Sequence, residues 1–139
     1  GDDLMADFPS NYRSMIVKSA VYPKAGALLN YDSTAGAGTV DLTAVDDAAF
    51  FVALDESSRD ADNVLLAAGA TITACPIGGM MYVLAAAAET WVAGQLLYVS
   101  AGVASKTQSS AEKVLGHYLG SAATTAAGIL YAVNTKQTN

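Results

Sequence analysis

Tyr98-Val99-Ser100-Ala101-Gly102-Val103-Ala104-Ser105 holds the clearest turn in the chain. Short apolar and β-branched runs flank Ser100-Ala101-Gly102, and Gly102 can take positive φ at no steric cost, so the segment predicts a tight β-hairpin. The same pattern continues in both directions. Candidate strands at 14–22, 27–31, 39–43, 50–54, 64–67, 71–75, 80–85, 95–100, 103–106, 113–119 and 129–134 are separated by Gly, Ser, Asp and Asn clusters, which is the spacing of a sandwich or barrel. In the first of them Met15, Val17 and Val21 share one face, Ile16, Lys18 and Tyr22 the other, and Pro23 ends the run because it has no N–H for a ladder. Segments 84–92, with four consecutive alanines, and 109–113 are the two places where helix competes. Their short lengths and strand flanks favour a loop or a single turn. The expected fold is all-β: a single-domain sandwich or small barrel of short antiparallel strands.

With 139 residues, 53% of them hydrophobic and 14% charged, the chain suits one domain with its own core. A single cysteine, Cys75, excludes an internal disulfide framework. Alanine supplies 28 residues against 11 aromatic ones, so the core is expected to be thin and closely approached. Asp2, Asp3, Asp7, Pro9, Ser10 and Asn11 favour neither helix nor strand, and residues 1–14 are therefore expected to form an extended N-terminal arm ahead of a β domain at 15–139. Leu4, Met5 and Phe8 are apolar anchors within that arm. Together with Tyr12 and Trp91 they are the candidate partner-contact residues.

Net charge is −6 with a pI near 4.4, which argues against nucleic acid and against an acidic membrane surface, since both call for a basic patch. The first residues are acidic where a secretory signal would be basic. The apolar run at 80–88 is too short to span a bilayer. Charge is also divided unevenly: residues 1–62 hold eleven carboxylates and four bases, residues 63–139 two carboxylates and three bases. A second half so poor in charge suggests a surface covered by other chains.

Catalytic chemistry has little to draw on. His117 is the sole histidine, and Cys75 lies in an apolar strand-like run where cysteine behaves as a small hydrophobe. Gly36-Ala37-Gly38 and Gly78-Gly79 lack the context of a phosphate loop and read as turns. Asp55, Glu56, Asp60, Asp62 and Asn63 offer oxygen ligands, but their spacing misses the helix-loop-helix calcium pattern and reads as a solvated acidic loop. No catalytic, cofactor-binding or metal-binding residue is assigned, and the chain is not expected to be an enzyme. A faint repeat at an offset of 65 residues relates 52–55 and 64–67 to 117–120 and 129–132, with few identities.

Gly94-Gln95-Leu96-Leu97-Tyr98-Val99, Ala101-Gly102-Val103, Val114-Leu115-Gly116-His117-Tyr118-Leu119-Gly120 and Gly128-Ile129-Leu130-Tyr131-Ala132-Val133 together resemble the small alanine- and glycine-rich capsid decoration, or cement, proteins of tailed phages. The resemblance covers about residues 50–134. It implies a virion structural protein on the outer capsid surface, without an active site or cofactor, that binds the major capsid protein and associates with itself as a dimer or trimer. Two other classes stay open: a β-rich module of a phage tail, spike or fibre, and a carbohydrate-binding domain in which Trp91 with Tyr82 or Tyr98 forms a stacking platform.

Overall fold

A computed structural model describes residues 12–18, 25–32, 36–44, 46–53 and 68–136. Among them are twelve short strands: β1 (Arg13–Val17), β2 (Leu28–Asp32), β3 (Gly36–Leu42), β4 (Phe51–Ala53), β5 (Thr71–Pro76), β6 (Gly79–Leu84), β7 (Thr90–Trp91), β8 (Leu96–Val99), β9 (Ala104–Ser105), β10 (Val114–Tyr118), β11 (Ala123–Thr124) and β12 (Leu130–Thr135). The fold is all-β, as expected, and the alanine run and residues 109–113 are turns and loop.

The strands divide into two main units. β1, β3, β2, β4 and β5 close into a barrel, whereas β6, β12, β10, β8 and β9 form an open sheet in that order. β7 and β11 make a separate two-stranded ribbon. Pairing between the strands is antiparallel except for β1 with β3, which run parallel through Ile16 opposite Thr39 and Val17 opposite Val40. β5 then pairs antiparallel with β1 and closes the ring.

Side-chain alternation explains how one barrel wall serves two cores. Leu29, Phe51 and Ala53 point into the barrel with Met15, Val17, Val40, Ile72 and Ala74. Their neighbours Leu28 and Val52 point the other way, into a second core with Val83, Leu97, Leu115, Val133 and Trp91 of the sheet and ribbon. The three-residue strand β4 is consequently buried at every position. In β1, Met15 and Val17 are buried while Ile16 and Lys18 are exposed, as their alternation predicts.

Backbone hydrogen bonds fasten the barrel to the open sheet. Leu28 N–H donates to Gly102 O at 2.9 Å and Leu84 N–H to Gly26 O at 3.0 Å. Thr43 Oγ1 donates to Ser100 O at 2.6 Å and accepts from Gly102 N–H at 2.8 Å. Gly26, at φ +91°, is required here, since a Cβ would collide with Leu130 Cδ2 and press on the Leu84 nitrogen.

The 98–105 hairpin forms between β8 and β9, with Gly102 at φ +76° and Ser100 N–H donating to Val103 O at 2.8 Å. Gly78 and Gly79 turn between β5 and β6. Gly36-Ala37-Gly38 does not form a turn: these residues open β3, with Gly36 opposite Asp32 of the preceding strand β2 across a register shift between Tyr31 and Asp32. β1 takes in Arg13 and Ser14, and residues 1–11 of the expected arm lie outside the described residues. So do the candidate strand at 64–67, Pro23, the acidic loop at 55–63 and residues 54–55 and 64–67 of the faint repeat.

Candidate functional site

Of the candidate contact residues, Leu4, Met5 and Phe8 lie outside the described residues. Tyr12 stands immediately before β1 and is 52% exposed. Beside it, Arg13 borders an open cleft of about 130 Å³ that is also lined by Tyr31, Ala49, Phe50, Phe51, Pro76 and Ile77. Strand register builds this cleft, since Arg13 opposes Ala74 on β5, and Phe51 opposes Pro76. Phe51 is buried in the barrel core and Phe50 is half-buried against the same core, and the Tyr31 ring packs against both, with centroids 5.2 Å from Phe51 and 5.3 Å from Phe50. An exposed guanidinium beside aromatic walls suits one side chain or chain segment that brings a carboxylate and some apolar surface. The sequence carried one signal for the cleft: Phe50-Phe51 is its sole pair of adjacent aromatic residues.

Trp91 belongs to the interior. Its side chain is completely buried, its Nε1–H donates to Glu89 Oε1 at 2.9 Å, and its ring packs edge-on against Tyr118 and Tyr131 at 5.3 and 5.4 Å. The indole therefore offers no surface to a partner or a sugar, and Tyr82, exposed on β6, has no stacking platform with it. The ribbon of β7 and β11 places Trp91 there by pairing it with Ala123.

Glu89 organises this end of the molecule. Its carboxylate accepts from Trp91 Nε1–H, from Ser105 Oγ–H at 2.6 Å and from Lys106 N–H at 2.8 Å. Burial pushes the carboxyl up, but these hydrogen bonds and the Lys106 charge outweigh it and hold Glu89 below the usual carboxylate range. Glu112 is also held low, by its own backbone N–H and that of Ser110, with Ser109 adding a hydroxyl. Asp46 accepts from Ser110 Oγ–H at 3.1 Å and Ala111 N–H at 3.0 Å, so one acid of the barrel side is tied to the sheet side. Glu89 and Asp46 are locks between distant chain segments, whereas Glu112 fastens its own turn.

Cys75 is half-buried on β5, and burial raises its thiol, which favours the protonated, weakly nucleophilic form. His117 is exposed on β10 of the other sheet. Among the described residues no three His, Cys, Asp or Glu side chains gather into a metal-binding group.

No protein-family model and no curated protein matches this sequence. The fold does have a counterpart among solved structures. It is similar to the N base of the head fiber gp8.5 of bacteriophage phi29, at a TM-score of 0.61 and 18% identity. The likeness covers 90% of this chain and 92% of that one. It extends over nearly the whole of both chains, so it embraces the barrel together with the sheet fastened to it.

Proposed function

We propose that this chain is a virion structural protein of a tailed phage, seated on the outer surface of the head and bound there to the major capsid protein. The observation that carries the reading is the match, over nearly the full length of both chains, to a module that serves as the base of a phage head fiber. The capsid-decoration motifs of the second half support it. In this role the protein acts by contact and carries out no chemical step. Copies repeated over a lattice retain strong attachment even when each contact is weak.

Bridging adjacent capsid subunits would make the protein a cement, because a ligand that binds the intact shell alone stabilises it by mass action. The fiber-base likeness favours a second form of the same role, in which the module anchors an appendage and leaves shell strength unchanged. Purified heads lacking the protein are the test material. Cosedimentation that saturates, with density for the module on the outer surface in cryo-electron microscopy, is the expected result; failure to bind overturns the proposal. A higher threshold for heat- or pressure-induced rupture at saturation identifies the cement, and an unchanged threshold identifies the anchor.

A further inference from the structure

β6 stands at one end of the open sheet and pairs only with β12. Backbone hydrogen bonds fix which of its residues turn outward. Opposite Tyr82 lies Ala132, whose carbonyl accepts from Leu119 N–H at 3.0 Å on the β10 side, so Tyr82 and Ala132 exchange no bonds and Tyr82 directs its N–H and C=O away from the sheet. Leu84, two residues on, points the same way and donates to Gly26 O of the barrel at 3.0 Å. Met80 shares this direction by alternation. Among the described residues no hydrogen bond engages the outward backbone groups of Met80 and Tyr82. Their side chains are each 55% exposed, and β6 contains no charge, no proline and no bulge, the devices that ordinarily keep an edge strand from pairing.

We propose that this edge is a self-association site at which β6 of a second copy pairs antiparallel about a twofold axis through Met81. The two ends of the open stretch select the occupant. At one end Gly26 already holds Leu84, and Ala86 N–H donates to Ala104 O at 2.8 Å, so a strand that ran on past Tyr82 would meet chain already in place. At the other end the Gly78-Gly79 turn, with Gly79 at φ +70°, takes the chain back to β5. The strand that fits must therefore lie straight beside Met80 and Tyr82 and leave where Leu84 is reached. β6 itself has that shape: with Met81 on the axis, Gly78 of the other copy falls opposite Leu84, where the glycine turn carries it out of the strand line.

In this register Met80 of each copy exchanges a pair of hydrogen bonds with Tyr82 of the other, so the outward groups of both residues are satisfied in both copies at once. The same pairing sets the Met80 thioether beside the Tyr82 ring on either side of the axis, a favourable cross-strand contact made twice. The two open sheets then become one continuous sheet. The site is independent of the virion reading, because it is measured on the isolated protein.

Sedimentation velocity over a concentration series of the full chain is expected to show a monomer–dimer equilibrium. Tyr82→Pro removes an outward N–H and leaves the bonds to β12 intact, so it should weaken the dimer by about 30-fold or more. His117→Glu, exposed on β10 at the centre of the sheet, should leave association unchanged. Far-UV circular dichroism of each variant confirms that the fold is kept. Residue-resolved amide exchange of the parent chain is a second measurement that needs no variant. The Met80 and Tyr82 amides should exchange about 10-fold or more slowly in concentrated than in dilute protein, whereas the Leu84 amide, already bonded to Gly26, should not change. A monomer at every concentration, a trimer, a dimer that survives Tyr82→Pro with its fold kept, a dimer lost in His117→Glu, or Met80 and Tyr82 amides whose exchange ignores concentration would each overturn the proposal.

Discussion

Glu89 shows how one side chain can set the local structure of a charge-poor region. It is one of two carboxylates after residue 62 and follows four alanines, a context that reads as loop and gives no hint of its three donors. Trp91 Nε1–H and Ser105 Oγ–H are both on buried residues, so Glu89→Ala would leave them without a partner and should cost about 2–4 kcal/mol. The pH dependence follows from the lowered carboxyl. In the acid range the unfolded chain binds more protons at this position than the folded one. The stabilisation is therefore complete above the ordinary glutamate value of about 4.3 and is lost as pH falls through that value and below it. Urea unfolding from about pH 7 to about pH 3 should show a shallower acid limb for Glu89→Gln than for the parent. The limb should not vanish, because Glu112 is lowered in the same sense. An identical acid limb in the variant would mean that the hydrogen-bonded carboxylate does not contribute.

Among the elements, β10 carries the most demanding backbone. Its register against β8 shifts between Val114 and Gly116, and Gly116 sits at φ +157° where a Cβ would strike the carbonyl oxygen of Asn134 on β12. The Val-Leu-Gly pattern was legible as a strand signature, but the reason for its glycine was not, because the obstructing carbonyl comes from a strand 18 residues further along the chain. Gly116→Ala should destabilise by about 3 kcal/mol or more, as strained backbone and main-chain overlap combine, and thermal unfolding measures this. Thr43 gives a second test at the junction between barrel and sheet. Thr43→Val keeps the shape but removes the hydroxyl that bonds Ser100 O and Gly102 N–H, at an expected cost of about 1–3 kcal/mol. β7 and β11, two residues each, escaped the sequence reading for a physical reason: so short a run has no alternation to detect, and burial of Trp91 is what orders it. Phe50-Phe51 was legible as strand, but the cleft with Arg13 also needs β1 and β5 alongside, which only barrel closure provides.

At the scale of the whole molecule, alternation and turn residues revealed the strands but could not sort them into a closed barrel and an open sheet. That division rests on long-range pairing such as β1 with β3 and β5. The two units should nevertheless unfold as one, because Leu28 and Val52 of the barrel wall lie in the same core as Val83, Leu97 and Trp91. Leu28 is the most informative position: its side chain is completely buried in the shared core and its N–H donates across the junction to Gly102 O. Leu28→Ala should cost about 2–5 kcal/mol, and the loss should appear equally in both units. Trp91 fluorescence reports on the sheet and ribbon, while far-UV circular dichroism follows all strands, so the two signals should move together to one lower midpoint in the variant. If the tryptophan signal kept its parental midpoint while the circular dichroism split into two steps, the barrel and the sheet would be separately stable, and the hydrogen bonds between them would serve only to orient one unit on the other.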